Sequence, residues 1–272
     1  MWTNAPAESS RKRKDRQLVD LFSLAGRVAL VTGGSRGLGR MIAAGFLRQG
    51  ARVYISSRKA ASCAATAADL SQLGECFALP ADVSTVAGAR CLADELGTRE
   101  AALDIAVHNA GSVRNERFAA FTEAGWDKVL DLNLKSPFFL TQCLYPLLLN
   151  GARRRYAKVI HVASIDGLSV NAYETYSYAA SKAGLIHLTR RLALRLIEDG
   201  IVVSCIAPGA FPSDMNRDAR DDPELAASRI PARRVGSAED IAGAAIYLAS
   251  RAGDYVVGET LVVDGGWSLT RG

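Results

Sequence analysis

The segment YETYSYAASKAGL, residues 173–185, places three tyrosines close together with a lysine soon after them. A phenol beside an ammonium can pass a proton to or from a substrate oxygen. An α-helix turns about 100° per residue, so two side chains share a face only when they are three or four apart. Tyr178 and Lys182 meet that condition, whereas Tyr176 and Tyr173 fall on other faces. If the lysine tunes one tyrosine, it tunes Tyr178. The competing reading is that all three rings only pack or cap.

A second constellation is TGGSRGLGR, residues 32–40, with Gly33, Gly37 and Gly39 between an apolar run and a helical pattern. Glycines there let backbone approach a pyrophosphate, and a helix N-terminus adds unpaired N–H groups and positive dipole. About twenty residues on, a dinucleotide site that reads a ribose 2′-hydroxyl would carry an acid. This chain has Ser56, Ser57, Arg58 and Lys59 instead, and Arg36 adds a cation inside the glycine turn. Guanidinium and hydroxyl donors suit a 2′-phosphate, which a carboxylate would repel. The residues therefore predict an NADP(H) site.

These groups need a frame. From Arg27 onward, short β-branched runs alternate with helical patterns: RVALVTG, ARVYISS, CFALPADV, LDIAVHNAG, AKVIHVAS, IVVSCIAPG and ETLVVDGG read as strands. Helices are expected across GRMIAAGFLRQG and AASCAATAADLSQLG, and one long helix over residues 126–149. Strands alternating with helices imply parallel pairing through right-handed crossovers. The expectation is a single α/β domain over residues 23–272, a Rossmann-type doubly wound parallel sheet of about seven strands with helices on both faces.

The composition, 49% hydrophobic and 22% charged, is that of a globular chain able to bury a core. No apolar run is long enough to span a bilayer, which predicts no membrane partner. Five cysteines (Cys63, Cys76, Cys91, Cys143 and Cys205) at wide spacings without a CxxC predict reduced thiols in a cytoplasmic setting. His108, His161 and His187 lack metal-ligand spacing, so no metal is expected. The net charge of +5 owes much to RKRKDR, residues 11–16. That run predicts a solvated, mobile N-terminal extension over residues 1–22. The rest is near neutral, and no nucleic-acid partner is expected.

The TGxxxGxG spacing, Asp82-Val83 after the third strand, HNAG at 108–111, Asn133, Ser164, YAASK at 178–182 and APG at 207–209 jointly resemble the short-chain dehydrogenase/reductases. The resemblance runs from Leu24 to Leu269; His108 stands where the family usually has asparagine. It implies a catalytic set of Asn133, Ser164, Tyr178 and Lys182, with Tyr178 as general acid/base and no such role for Tyr173 or Tyr176. Lys182 would hold the nicotinamide ribose and Ser164 would stabilise charge on the substrate oxygen. Asn133 would hold a water linking Lys182 to solvent. An ammonium one turn away, and a cationic nicotinamide ring in the oxidised complex, are both expected to bring the Tyr178 pKa down. The cofactor would be held by Gly33, Ser35, Arg36, Gly37, Leu38, Gly39, Ser57, Arg58, Lys59, Asp82, Val83, Asn109, Ala110, Gly111, Tyr178, Lys182, Pro208, Gly209, Phe211 and Ser213.

Within that family, the stretches FSLAGRVALVTGGSRGLGRMIA and IAPGAFPSDM look like the 3-oxoacyl reductases, and especially the branch linked to rhamnolipid-type hydroxyacyl supply. The implied reaction is NADPH-dependent reduction of a 3-oxoacyl thioester. A lid over about 210–234 would offer Ala210, Phe211, Pro212, Met215, Leu225 and Ile230 as an apolar wall. Arg153, Arg154 and Arg155 would contribute to a basic patch for acyl carrier protein near the active-site mouth. Glu198 and Asp199 have the wrong charge for a second docking position, so a coenzyme A thioester stays open. A sugar, polyol or cyclic ketone is the alternative substrate, and a non-catalytic NADPH-binding regulator a third reading. The helix at 126–149 would build a dimer contact within a homo-oligomer, a dimer of dimers.

Overall fold

A computed structural model describes residues 20–270. The basic run at 11–16, and nearly all of the expected extension, lie outside the described residues. Seven strands form one wholly parallel sheet: β1 (Val28–Thr32), β2 (Arg52–Ser56), β3 (Cys76–Ala78), β4 (Ile105–His108), β5 (Ala157–Val162), β6 (Ile201–Pro208) and β7 (Thr260–Val263), in the order β3-β2-β1-β4-β5-β6-β7. All seven expected strands are present. β1 is buried throughout and apolar from Val28 to Val31 because both sheet faces are covered, which is why its sequence does not alternate.

The helices are α1 (Gly37–Arg48), α2 (Ala60–Leu70), α3 (Val86–Arg99), α4 (Glu123–Leu130), α5 (Ser136–Ala152), α6 (Tyr176–Leu196), α7 (Arg217–Asp221), α8 (Pro223–Ser228) and α9 (Ala238–Ala249). Ala29 and Val31 turn to one face, where Ile42 and Phe46 of α1, Leu70 of α2 and Ile241 of α9 cover them. Leu30 points the other way, into a core with Leu92 of α3, Leu144 of α5 and Ala193 of α6. This is the period-two consequence of a strand between two helical layers. Strand order reverses between β1 and β4, so a crevice opens beyond their C-terminal ends.

The single helix expected at 126–149 is interrupted. Between α4 and α5 runs a five-residue π turn, Asp131–Lys135, with Asn133 fully buried at its centre. The expected lid carries two short helices, α7 and α8. Among the described residues no helix is long and apolar enough to cross a membrane, and all five cysteines are free thiols.

The arginine run lies at the wrong edge for the expected docking patch. Arg153–Arg155 precede β5, whereas Ser164 follows it, and a six-residue strand separates the two edges by roughly 20 Å. Arg154 approaches Asp104 at 3.4 Å and Arg155 approaches Asp254 at 3.8 Å. Buried Arg27 and Lys158 share the same two acids, Lys158 Nζ lying 2.8 Å from Asp254. Arg154 and Arg155 compensate the buried Asp104 and the part-buried Asp254 at the sheet's N-terminal edge, far from their own chain's cleft.

His108 and His161 face each other across β4 and β5, ring centroids 5.3 Å apart, with Thr141 and Thr189 against them. Burial holds both neutral, pulling His108 from its ordinary 6.5 to about 4 and His161 well down. Depressed folded-state values mean that the unfolded chain binds more protons as pH falls below 6.5. Stability is therefore full above that pH and is lost as pH falls towards 4, each histidine adding up to about 1.4 kcal/mol per pH unit. In denaturant titrations His108→Asn should flatten this slope; an unchanged slope would contradict the assignment.

Candidate active site

β1 ends in Thr32, and this residue builds the entrance to the crevice. Its hydroxyl accepts from the backbone N–H groups of Asn109 and Ala110, both at 3.1 Å, and donates to Val107 O at 3.2 Å. The Asn109 amide returns bonds to Thr32 O at 2.9 Å and Gly33 O at 3.3 Å. A Cβ at Gly39 would lie 2.4 Å from Asn109 Nδ2, so only glycine lets the start of α1 close onto the exit of β4. Thr32 was not singled out from sequence. The signal was a hydroxyl at the last strand position, directly before the glycine turn.

Asn109, Ala110 and Gly111 lead to Ser112, which Asn133 clamps. Asn133 Oδ1 accepts from Ser112 N at 2.8 Å, and Nδ2 donates to Ser112 O at 2.9 Å and to Ser181 Oγ at 3.1 Å. Both amide protons are spent, so Asn133 joins the β4 exit to α6. A relay water would have to use its main-chain carbonyl or the remaining acceptor site on Oδ1. The π turn is the device that aims this side chain inward.

Ser164 caps the short 3-10 turn Ile165–Gly167 after β5, its Oγ accepting from Asp166 N at 3.1 Å. Ser164 lies near enough to the Tyr178 hydroxyl to oppose the rise in its pKa, and both residues line the cleft. Gly167 makes that approach possible, since a Cβ there would sit 2.7 Å from the Lys182 carbonyl carbon. Lys182 is buried, its Nζ 5.5 Å from the centre of the Tyr178 ring and donating to Val162 O at 2.7 Å. The fold brings the four together: Ser164 and Tyr178 line one cleft, Lys182 lies beside the Tyr178 ring, and Asn133 and Lys182 both approach Gly111.

In the protein's own electrostatics Lys182 does not lower the Tyr178 phenol as expected. Withdrawal from water pushes the Tyr178 phenol up to about 12, against the opposing bond from Ser164, and the Asp166 charge adds to the rise. Burial pulls Lys182 down to about 8. The ammonium is turned towards Val162 O and does not lower the phenol. At neutral pH Tyr178 thus keeps its proton, the state required of a donor.

Of the three tyrosines only Tyr178 reaches Ser164 and Lys182. Tyr176 is 38% exposed, packs on Phe118 and Phe121 and donates to Glu174 at 3.1 Å. Tyr173 lines the cleft and donates to Asp218 of the lid at 3.1 Å, a tie invisible in the sequence.

The fold places the remaining expected cofactor residues variously. At the end of β2, Ser57 Oγ is buried without a partner, and Arg58 and Lys59 are exposed. Asp82 feels burial but also accepts from the Ser84 hydroxyl and amide and faces Arg58; these outweigh burial and lower its pKa. The Val83 side chain is in the core. Arg36 is 2.6 Å from Asp214 of the lid, which also takes Arg220 at 2.7 Å. Ser213 lies over Gly37, and Leu38, Pro208, Gly209 and Phe211 line the cavity.

The cavity has a volume of about 800 Å³. Met215 and Leu225 line it as expected, whereas Ile230 turns into a small core of the lid's own with Ala219 and Ala210, and Pro212 is not on the wall. Five carboxylates (Asp166, Asp214, Asp218, Asp221 and Asp222) share the wall with two guanidinium groups, Arg217 and Arg229.

Residues 33–268 match the family described as Enoyl-(Acyl carrier protein) reductase. The chain is 48% identical over 252 residues to the rhamnolipids biosynthesis 3-oxoacyl-[acyl-carrier-protein] reductase of Pseudomonas aeruginosa, covering 91% of this chain and 98% of the relative. It is 39% identical over 258 residues to 2-dehydro-3-deoxy-D-gluconate 5-dehydrogenase of Bacillus subtilis, covering 92% and 98%. Among solved structures, the Pseudomonas aeruginosa RhlG/NADP active-site complex superposes with a TM-score of 0.88 at 47% identity, over 92% of this chain and 99% of that one. With the glycine turn, the β4 exit and the Ser164–Tyr178–Lys182 cluster on one crevice, the chain belongs to the short-chain dehydrogenase/reductase family.

Proposed function

We propose that this protein reduces a carbonyl to a secondary alcohol with NADPH, and that its substrate is a 3-oxoacyl thioester borne by acyl carrier protein or coenzyme A. The observation that carries this is the placement of Ser164 and Tyr178 together on the wall of the cavity, with Lys182 Nζ 5.5 Å from the Tyr178 ring and burial keeping the phenol protonated. The reductase relative from Pseudomonas aeruginosa supports the acyl substrate, and the NADP complex supports the cofactor.

The residues fit NADP(H): Ser57 and the exposed Arg58 offer a hydroxyl and a cation at the end of β2, where no acid stands in the chain, and the glycine turn has little room for side chains. When bound, the cofactor supplies the hydride. Ser164 donates to the carbonyl oxygen and stabilises its developing charge. Tyr178 gives its hydroxyl proton to that oxygen, so the carbonyl carbon gains the hydride and the oxygen the proton. Lys182 lies beneath the ring to hold the ribose and return a proton to Tyr178. Asn133 fixes α6 to the β4 exit and so fixes the distance between these groups.

We place a homo-oligomer contact on α4 and α5, where Trp126 and Phe138 stay 40% and 38% exposed. The gluconate relative suggests a sugar-acid substrate as the second reading, which the substrate panel tests.

The test is kcat/KM over a series of 3-oxoacyl thioesters beside a panel of sugar acids, polyols and cyclic ketones. Activity should rise by about fourfold for each methylene that Met215 and Leu225 bury, at ~0.8 kcal/mol each, until the pocket ends. A flat profile together with good sugar turnover would contradict the acyl reading.

A further inference from the structure

We infer that Asp214 of the lid sets how strongly the protein distinguishes NADPH from NADH: it holds the Arg36 guanidinium and so withholds one cation from the adenosine 2′-phosphate. This rests on the NADP(H) site above and on no particular carbonyl substrate. Arg36 has two anions to choose between, the lid carboxylate and the phosphate that only NADPH carries. Binding of NADPH exchanges one for the other, whereas NADH leaves Arg36 with Asp214.

The stem of Arg36 starts at the end of β2, where Ser57 and Arg58 follow the strand. Gly34 N donates to Ser56 O at 3.2 Å, and a Cβ on Gly34 would lie 2.8 Å from Ile55 Cβ, so the glycine turn packs on that strand end. Thr66 of α2 donates to Ser35 O at 3.0 Å and ties the next residue to the same layer. Arg36 is the N-cap of α1, with extended backbone and no side-chain capping bond, so capping does not occupy its guanidinium. Its partner is not on β2. Nη1 lies 2.6 Å from Asp214 Oδ2, on the lid.

Three features make this an exchangeable pair. Asp214 Oδ1 lies 2.7 Å from Arg220 Nη1, so the carboxylate stays paired when Arg36 leaves. The Arg36 and Asp214 side chains are 75% and 53% exposed, and ion pairs that open to water are weak. A phosphate monoester, by contrast, carries nearly two negative charges and presents oxygens that a guanidinium can take two at a time. Ser213, next to Asp214, rests over Gly37, where a Cβ would lie 3.6 Å from Ser213 Cβ, which keeps the lid beside the glycine turn.

The test is the ratio of the NADH to the NADPH dissociation constant, read by nicotinamide fluorescence at fixed ionic strength with no ketone present. Any change the two cofactors share, including a loosened lid, cancels in that ratio. Asp214→Asn should raise it about three- to tenfold, through tighter NADPH with NADH within about twofold. Asp221→Asn removes a lid charge that meets Arg220 but not Arg36, and should move the ratio by less than about twofold. In an Arg36→Ala background, Asp214→Asn should lose its effect, because the two residues act through one contact. An Asp214→Asn ratio equal to wild type, or a rise of the same size with and without Arg36, would overturn the inference. Every reading here is a dissociation constant, so a protein that gives these ratios but reduces no ketone contradicts the reductase reading and upholds this one.

Discussion

Tyr178→Phe is expected to lower kcat by about 10²–10⁴-fold while leaving the NADPH dissociation constant within a few-fold, because one proton is removed and little else. The ring packs as before, and Ser164 keeps its cap on the turn through Asp166 N. Tyr176→Phe should retain most activity: that hydroxyl only meets Glu174, in an aromatic cluster with Phe118 and Phe121. Steady-state rates and fluorescence titration with NADPH on both variants check this. An active Tyr178→Phe beside a dead Tyr176→Phe would reverse the assignment. The high proton affinity of Tyr178, about 12, adds a direction. Reduction needs the protonated phenol and should persist across neutral pH, failing only at strongly basic pH. Alcohol oxidation needs the phenolate and should rise with pH.

Wild-type protein is expected to prefer NADPH over NADH, and Arg58→Asp to reduce or invert that preference by about ten- to hundred-fold. A charge-assisted contact to phosphate contributes roughly 1.5–3 kcal/mol. Arg58 is exposed at the end of β2, next to Ser57, so its guanidinium is available to a phosphate. Arg36 is less free, being held 2.6 Å from Asp214, and its replacement should matter less than that of Arg58. The ratio of kcat/KM for the two cofactors reads this directly. Equal use of both by the wild-type protein would defeat it.

What the sequence made legible, and what it hid, follows from how local each cause is. The seven strands were readable because a sheet covered on both faces needs unbroken β-branched runs, as in VALVT of β1. Tyr178 and Lys182 were readable because their spacing on one helix fixes a shared face. The break at Asn133 was not, since no local propensity marks a π turn; it is held by bonds to Ser112 and Ser181 far along the chain. The sign of the Tyr178 shift was hidden for the same reason. Spacing brought Lys182 near, but the carbonyl of Val162, on a strand, decided where its ammonium points. Arg153–Arg155 read as a free basic patch, yet Arg154 and Arg155 answer Asp104 and Asp254, which no sequence spacing reveals. Ile230 looked like a substrate wall and instead fills the lid's own core.

The most direct test of carbonyl reduction in this cleft is a single turnover: protein loaded with one equivalent of NADPH is mixed with excess 3-oxoacyl thioester, and nicotinamide absorbance and product are followed together. The predicted result is loss of one equivalent of reduced nicotinamide matched by one equivalent of 3-hydroxyacyl thioester in wild type, with the rate collapsing in Tyr178→Phe while NADPH stays bound. NADPH bound and unconsumed by the wild-type protein, across both the thioester and the ketone panel, would contradict it.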